Sequence, residues 1–100
     1  MAIELRVLSV SRIGQREVLD LPVIAVGRHP QCDFRFDAMT DLDVSARHAE
    51  IRATDGGRWV IRDGGSTNGT FVNGNRVTRA SLKEGDRLGV GRVVLGVTRE

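Results

Sequence analysis

Apolar and polar residues alternate along most of this chain with a period of two, the signature of half-buried strands rather than helices. Near the start, Ile3, Leu5 and Val7 alternate with Glu4, Arg6 and Leu8, predicting a strand within Met1 to Val10, with Ser9 a possible continuation of its inward face. Ser11 to Gln15 carries Gly14 and predicts a turn. Glu17 to Leu21 predicts a second strand, interrupted by Pro22, and Val23 to Val26 a short apolar one ending at Gly27. Asp33 to Phe36 places Phe34 and Phe36 on one face, and His48 to Ala53 places Ala49, Ile51 and Ala53 opposite Glu50 and Arg52. Asp55-Gly56-Gly57 supplies hairpin chemistry before a returning strand around Trp59 and Ile61. Asn73-Gly74 is a second hairpin signal, between Thr70–Val72 and Asn75–Val77. Val90 and the run Val93 to Val97 predict two closing strands around Gly91.

No stretch of helical length shows a helical face; Asp37 to Asp43 is the best candidate, and it is short and polar. The expectation is an all-β sandwich or barrel of some ten short strands, with turn signals about every 8–12 residues. The alternation nominates Leu5, Val7, Val26, Phe34, Phe36, Ile51, Trp59, Ile61, Phe71, Leu88, Val93 and Leu95 as core.

Composition narrows the function more than the fold. One hundred residues suffice for one domain, 1–100, which could itself be cut from a longer polypeptide. Fifteen basic against 13 acidic residues give a net charge of +2, too balanced for a protein that coats a nucleic-acid duplex. Four aromatics are a thin supply for a base-stacking surface. The single cysteine, Cys32, excludes an intramolecular disulfide framework and a cysteine-based zinc site, and reads as a small buried hydrophobe. His29 and His48 leave little for any metal, and no cofactor is expected. No run approaches the roughly 20 apolar residues of a membrane helix. Glu4 and Arg6 break the apolar stretch that a signal peptide needs, so the chain is expected in the cytoplasm.

Function is then expected on loops. Three stand out: Gly27-Arg28-His29-Pro30, Asp43 to His48, and Gly64-Gly65-Ser66-Thr67-Asn68-Gly69-Thr70. They pool arginines, hydroxyls, an amide and backbone N–H groups, with Asp63 only at the edge of the third. Donors converging with little negative charge suit an anion, phosphate in particular. Each loop alone has a plainer reading. Gly-Arg after a strand is a turn with a solvated charge, Ser45 a turn or cap residue, and His48 a hydrogen-bonded structural histidine. The glycine-rich loop lacks the Lys-[Ser/Thr] ending of a P-loop. Asp37, Asp41 and Asp43 fail the spacing of an EF-hand and suit a solvated loop. Ser45 and His48 lie three residues apart with no Gly-x-Ser-x-Gly elbow, which argues against a hydrolase and against an enzyme generally.

Taken together, the loops resemble the forkhead-associated (FHA) domain. The matching residues are Gly27-Arg28; Ser45-x-x-His48 with Ala49 and Ile51; Trp59-Val60-Ile61-x-Asp63; Gly65 through Gly74; and Leu82, Gly85-Asp86 and Gly91. The resemblance spans Val23 to Val97, and Ile3 to Leu21 suits the family's first two strands. It implies a β-sandwich of about eleven short strands with its binding loops at one end. It further implies a monomeric module of Ser/Thr kinase signalling that binds a phosphothreonine-containing protein or peptide, without nucleic acid or membrane. Arg28 would fork onto the phosphate, Ser45 would donate its hydroxyl, Thr67 would shape the phosphothreonine pocket and Asn68 would hold the peptide backbone. Gly27, His48, Gly69, Asn73 and Gly74 would support the site. The chain departs from the family where Ala46 replaces the usual Arg or Asn, so that peptide contact is expected to be either absent or moved to Arg47. The stretch Ala38 to Leu42 is an extra piece of loop. A phosphate-independent interaction domain on the same fold is the alternative, against which the retained Arg28, Ser45, Thr67 and Asn68 argue.

Overall fold

The computed structural model describes residues 2–8 and 14–99. Eleven strands make up the described chain: β1 (Ile3–Val7), β2 (Arg16–Leu19), β3 (Val23–Gly27), β4 (Phe34–Arg35), β5 (Ala49–Thr54), β6 (Arg58–Asp63), β7 (Thr70–Val72), β8 (Asn75–Val77), β9 (Arg79–Leu82), β10 (Arg87–Val90) and β11 (Val93–Arg99). They form a six-stranded sheet in the order β2-β1-β11-β10-β7-β8 and a five-stranded sheet in the order β4-β3-β5-β6-β9. The short β3–β4 pair is parallel, and the other registered pairs are antiparallel. Among the described residues there is no α-helix, and the fold is an all-β sandwich.

Alternation explains the layers. In β5 and β6, Ala49, Ile51, Trp59 and Ile61 point inward, while Glu50, Arg52, Arg58 and Arg62 point out. The opposing sheet contributes Ile3, Leu5, Val7, Leu88, Val90, Val93, Leu95 and Val97 to one shared core. Phe34 and Phe36 meet edge-to-face there, with ring centroids 5.4 Å apart. The Asn73–Gly74 hairpin joins β7 to β8 with Val72 opposite Asn75. Its central residues have φ of 51° and 85°, the left-handed pair that fits a two-residue turn to twisted strands.

Some expectations need correction. Phe71 is half-buried and outside the core, because Thr70 takes the inward position and Phe71 lies over Gly89 on the opposite face. The second strand runs Arg16–Leu19 rather than Glu17–Leu21. Only Phe34–Arg35 of the Asp33–Phe36 segment is strand, although Phe36 is buried as expected. The strand expected from His48 begins at Ala49 and runs through Thr54. Asp37 to Asp43 forms turns. β9 was not anticipated: Arg-Ala-Ser-Leu is too weakly alternating to announce a strand. Residues 9–13, the end of the first predicted strand and most of the following turn, lie outside the described residues, as do Met1 and Glu100.

Candidate functional site

β3 ends at Gly27, where the chain passes directly beside the segment leading into β5. Arg28 and His29 donate their backbone N–H groups to the carbonyls of Ser45 and Ala46 at 3.2 and 2.9 Å, and His48 donates to Val26 at 2.9 Å. A Cβ at position 27 would sit 2.2 Å from the Ala46 carbonyl oxygen, so this approach requires glycine. The Arg28 side chain then crosses to the neighbouring loop, with Nε donating to the Val44 carbonyl and Nη1 to the Ala38 carbonyl at 3.3 Å. Among the described residues no carboxylate is paired with this guanidinium.

His48, immediately before β5, is fully buried. Its Nδ1 accepts the Ser45 backbone N–H at 3.0 Å, and its Nε2 donates to the Gly69 carbonyl at 2.8 Å. The two bonds assign the ring proton to Nε2 and tie two loops to one side chain. Both ring nitrogens are occupied, and neither bonds the Ser45 hydroxyl, so the pair is not arranged as nucleophile and base. The Ser45 Oγ instead accepts the Thr67 N–H at 3.1 Å, which leaves its own O–H to donate outward.

Asp63, at the end of β6, organises the third loop. Its Oδ2 accepts the N–H groups of Gly65 and Ser66 at 3.0 and 3.1 Å. Its Oδ1 accepts the hydroxyls of Ser66 and Thr70 at 2.5 and 2.7 Å. Ser66 Oγ in turn accepts the Gly69 N–H at 3.0 Å. Burial pushes the Asp63 carboxyl up, but the hydrogen bonds from Ser66, Thr70 and Gly65 together outweigh it and hold the group below its ordinary value. The loop packs closely on the Ser45–His48 segment, since Gly64 donates to the His48 carbonyl at 2.8 Å and a Cβ there would lie 2.8 Å from the Arg47 carbonyl oxygen. Gly69 adopts φ 92°, which permits the carbonyl of the loop to face His48.

This scaffold presents Thr67 and Asn68, both exposed, at the loop crest. Asn68 Nδ2 reaches the Asp43 carbonyl at 2.9 Å and so joins the third loop to the second. Arg28, Ser45, Thr67 and Asn68 are thereby connected through three loops at one end of the sandwich. Arg47 is exposed on the rim beside them. Asn73 and Gly74 are not part of this cluster. They turn the chain at the far end of β7, where Asn73 bonds the Arg87 N–H and the Asp86 carboxylate, each at 3.0 Å.

Sequence reasoning put Asp63 at the edge and missed its role. The Asp-x-x-Ser spacing followed by Thr70 was the available signal, since a short acidic side chain caps amides two and three residues on. The remaining nearby carboxylates are committed as well. Asp37 caps the amides of Met39 and Thr40, Asp41 caps that of Asp37, and Asp43 pairs with Arg92 at 2.7 Å. What the end of the sandwich offers is therefore donors: a guanidinium, two hydroxyls and an amide.

The chain is similar to known proteins along most of its length. The family model for the FHA domain matches residues 24–91. The chain is 44% identical over 79 residues to the glycogen accumulation regulator GarA of Mycolicibacterium smegmatis, covering 79% of this chain and 48% of that protein. It is 43% identical over 79 residues to the oxoglutarate dehydrogenase inhibitor of Corynebacterium diphtheriae, covering 79% of this chain and 52% of the inhibitor. The chain thus spans about half the length of the curated relatives it matches. Among solved structures, one from a structural and functional analysis of phosphothreonine-dependent FHA domain interactions superposes with a TM-score of 0.85 at 32% identity, covering 100% of this chain and 98% of that one. The FhaA FHA domain, solved in complex with the intracellular domain of another protein, gives 0.82 at 34% identity, covering 95% of this chain and 98% of that one. The chain belongs to the FHA domain family.

Proposed function

We propose that this FHA domain, a phosphothreonine-dependent binding module of kinase signalling, seats the phosphate against Arg28, Ser45 and Thr67 at the end of the sandwich. Arg28 supplies the planar fork, Ser45 an O–H donor, and Thr67 a hydroxyl beside the phosphorylated residue. Asn68 supplies an amide that can both donate to and accept from an extended peptide backbone. Arg47, one position beyond Ala46, takes the rim contact to the peptide. Gly27, His48 and Gly69 hold these groups in place, and Asn73 and Gly74 fix the strand pair behind them. The observation that carries the reading is the hydrogen-bond direction at Ser45: its oxygen accepts the Thr67 N–H, which leaves its O–H to donate to an anion.

The partner is a phosphothreonine-containing protein, and the chain acts on it by binding rather than catalysis. We read it as a monomer of one domain, 1–100, since Arg28, Ser45, Thr67 and Asn68 of a single chain supply the proposed contacts without a second copy. Nucleic acid is disfavoured as a ligand by the burial of Phe34, Phe36 and Trp59, which removes them from base stacking. Among the described residues no helix is long and apolar enough to cross a membrane, and no membrane contact is proposed. The cytoplasm, where ATP-dependent kinases make phosphothreonine, is its place of action. The test is a titration of the chain against a threonine peptide library with and without phosphate. Binding confined to the phosphorylated set supports the reading, whereas equal binding of both sets replaces it with a phosphate-independent interaction domain.

A further inference from the structure

The outer face of the five-stranded sheet carries charge that the site at its end does not use. Glu50 and Arg52 of β5, Arg58 and Arg62 of β6 and Arg79 of β9 all point away from the core. The register sets Arg62 between Glu50 and Arg79, so two arginines face each other on neighbouring strands. Like charges directly opposite on a sheet are destabilising unless something relieves them. Glu50 is engaged elsewhere, because its Oε1 accepts both Nε and Nη2 of Arg52 at 3.2 and 2.9 Å. Among the described residues no carboxylate is paired with Arg62 or Arg79. Together with Glu50, Arg52, Thr54 and Val60 these two arginines line an open cleft of ≈ 300 Å³, in which the Glu50 carboxylate is turned to Arg52. The cleft leads toward the loop end of the sandwich: Arg62 immediately precedes Asp63, and Glu50 lies two residues after His48.

We infer that this arginine track is a second docking surface, which takes an acidic segment of the same partner whose phosphothreonine occupies the loop site. The inference rests on the phosphothreonine reading above. Charge complementarity names the occupant. Two adjacent guanidinium forks with no carboxylate paired to them match the discrete, planar carboxylates of Asp and Glu side chains, which they can bind bidentately. A continuous polyanion would press against Glu50, and the face offers no aromatic ring for stacking a base. Val60 is its only sizeable apolar side chain in the cleft, and it is half-buried, so there is nothing to insert into a bilayer. A contact of this kind is weak alone, but tethering to an occupied phosphothreonine site makes it intramolecular and raises its effective concentration.

The experiment compares a phosphothreonine peptide with the same peptide extended through a flexible linker by a short run of glutamates, placed on either the N- or the C-terminal side. Binding to the wild-type chain and to an Arg62→Gln/Arg79→Gln variant is measured by calorimetry at low salt. One of the tailed peptides should bind the wild type roughly threefold to tenfold more tightly than the untailed one, as expected for a pair of exposed ion pairs. The double variant should lose that gain while binding the untailed peptide normally, which also shows that it is folded. A gain that survives in the variant, or no gain from either tail, overturns the arginine track alone. Failure of the untailed peptide to bind wild type removes the phosphothreonine reading and this inference with it. Phosphatidylserine vesicles or single-stranded DNA that bind more tightly than the tailed peptide, and release in the double variant, would overturn the acidic-protein assignment.

Discussion

The two loops that frame the proposed phosphate site are held in different ways. The 63–70 loop is held from within and below: an ionised Asp63 takes hydrogen bonds from Gly65, Ser66 and Thr70, and buried His48 takes the Gly69 carbonyl. The 37–44 loop caps two of its own turns with Asp37 and Asp41, but exposes Met39 and Leu42 at 82% and 69%. Its carbonyls at Ala38, Asp43 and Val44 are gripped by Arg28 and Asn68, the side chains proposed to meet the ligand. The first loop is held by buried groups, whereas the second, beyond its own turns, the Asp43–Arg92 pair and buried Val44, is also held by the two side chains proposed to bind the ligand. The proposed contacts from Ser45 and Thr67 thus rest on buried anchors, whereas Arg28 couples the proposed phosphate site to the exposed apex at Met39 and Leu42.

Substitutions should separate the two loops, beginning with the buried anchor. His48→Ala leaves the Ser45 N–H and Gly69 carbonyl unpaired beside a cavity, and should cost about 2–4 kcal/mol of stability with a parallel loss of phosphopeptide affinity. Thermal unfolding of the free domain measures the first and calorimetry the second; equal melting of variant and wild type would break the assignment of His48 as an anchor.

Asp63→Asn should cost less, about 1–2 kcal/mol, because the neutral amide keeps one acceptor and part of the site is solvated. The same carboxylate sets a pH dependence. Its folded pKa lies below its ordinary value, so the unfolded chain binds the proton more readily. Its contribution is therefore present above the unfolded carboxylate pKa of about 4 and disappears as pH falls through the lower folded value. Stability measured by denaturant between neutral pH and pH about 3 should fall less in Asp63→Asn than in wild type.

Arg28→Lys keeps the charge but loses the fork, and should reduce phosphopeptide affinity by about tenfold or more. Its melting temperature should move little compared with His48→Ala, since the bonds lost are at the exposed 37–44 loop. Affinity within twofold of wild type would remove the fork role. Leu42→Ser is the smallest expected change: stability within about 0.5 kcal/mol of wild type, because the side chain is mostly in water. It should alter which flanking peptide residues are preferred while leaving phosphate dependence intact, readable from a degenerate phosphopeptide library.

The same contrast marks how much of the molecule could be read beforehand. Strands with one face buried, such as those carrying Ile51, Trp59 and Ile61, announce themselves because burial forces alternation. The Asn73–Gly74 turn was legible because few residues tolerate its backbone. β9 was not, since its place comes from pairing with β6 and not from its own sequence. Phe71 misled because its apolarity outweighed the pattern, while the polar Thr70 beside it is buried by its bond to Asp63. At the site, the candidate donors were nameable from their spacing in three loops. That the oxygen of Ser45 accepts from Thr67, and that Arg28 and Asn68 also tether the 37–44 loop, depends on contacts across 16 to 25 residues of sequence that no local pattern encodes.

The central claim is that the preassembled donors of Arg28, Ser45 and Thr67 select a phosphorylated threonine. Calorimetric titration of three otherwise identical peptides, carrying phosphothreonine, phosphoserine or aspartate, tests it most directly. A phosphate presents about −1.5 to −2 charges and three acceptor oxygens at pH 7, more than a carboxylate can offer these donors. Phosphothreonine should bind tightest, phosphoserine roughly tenfold more weakly for want of a methyl that fills space and restricts rotamers. Aspartate should show no measurable binding. Comparable affinity for phosphothreonine and aspartate would contradict the account.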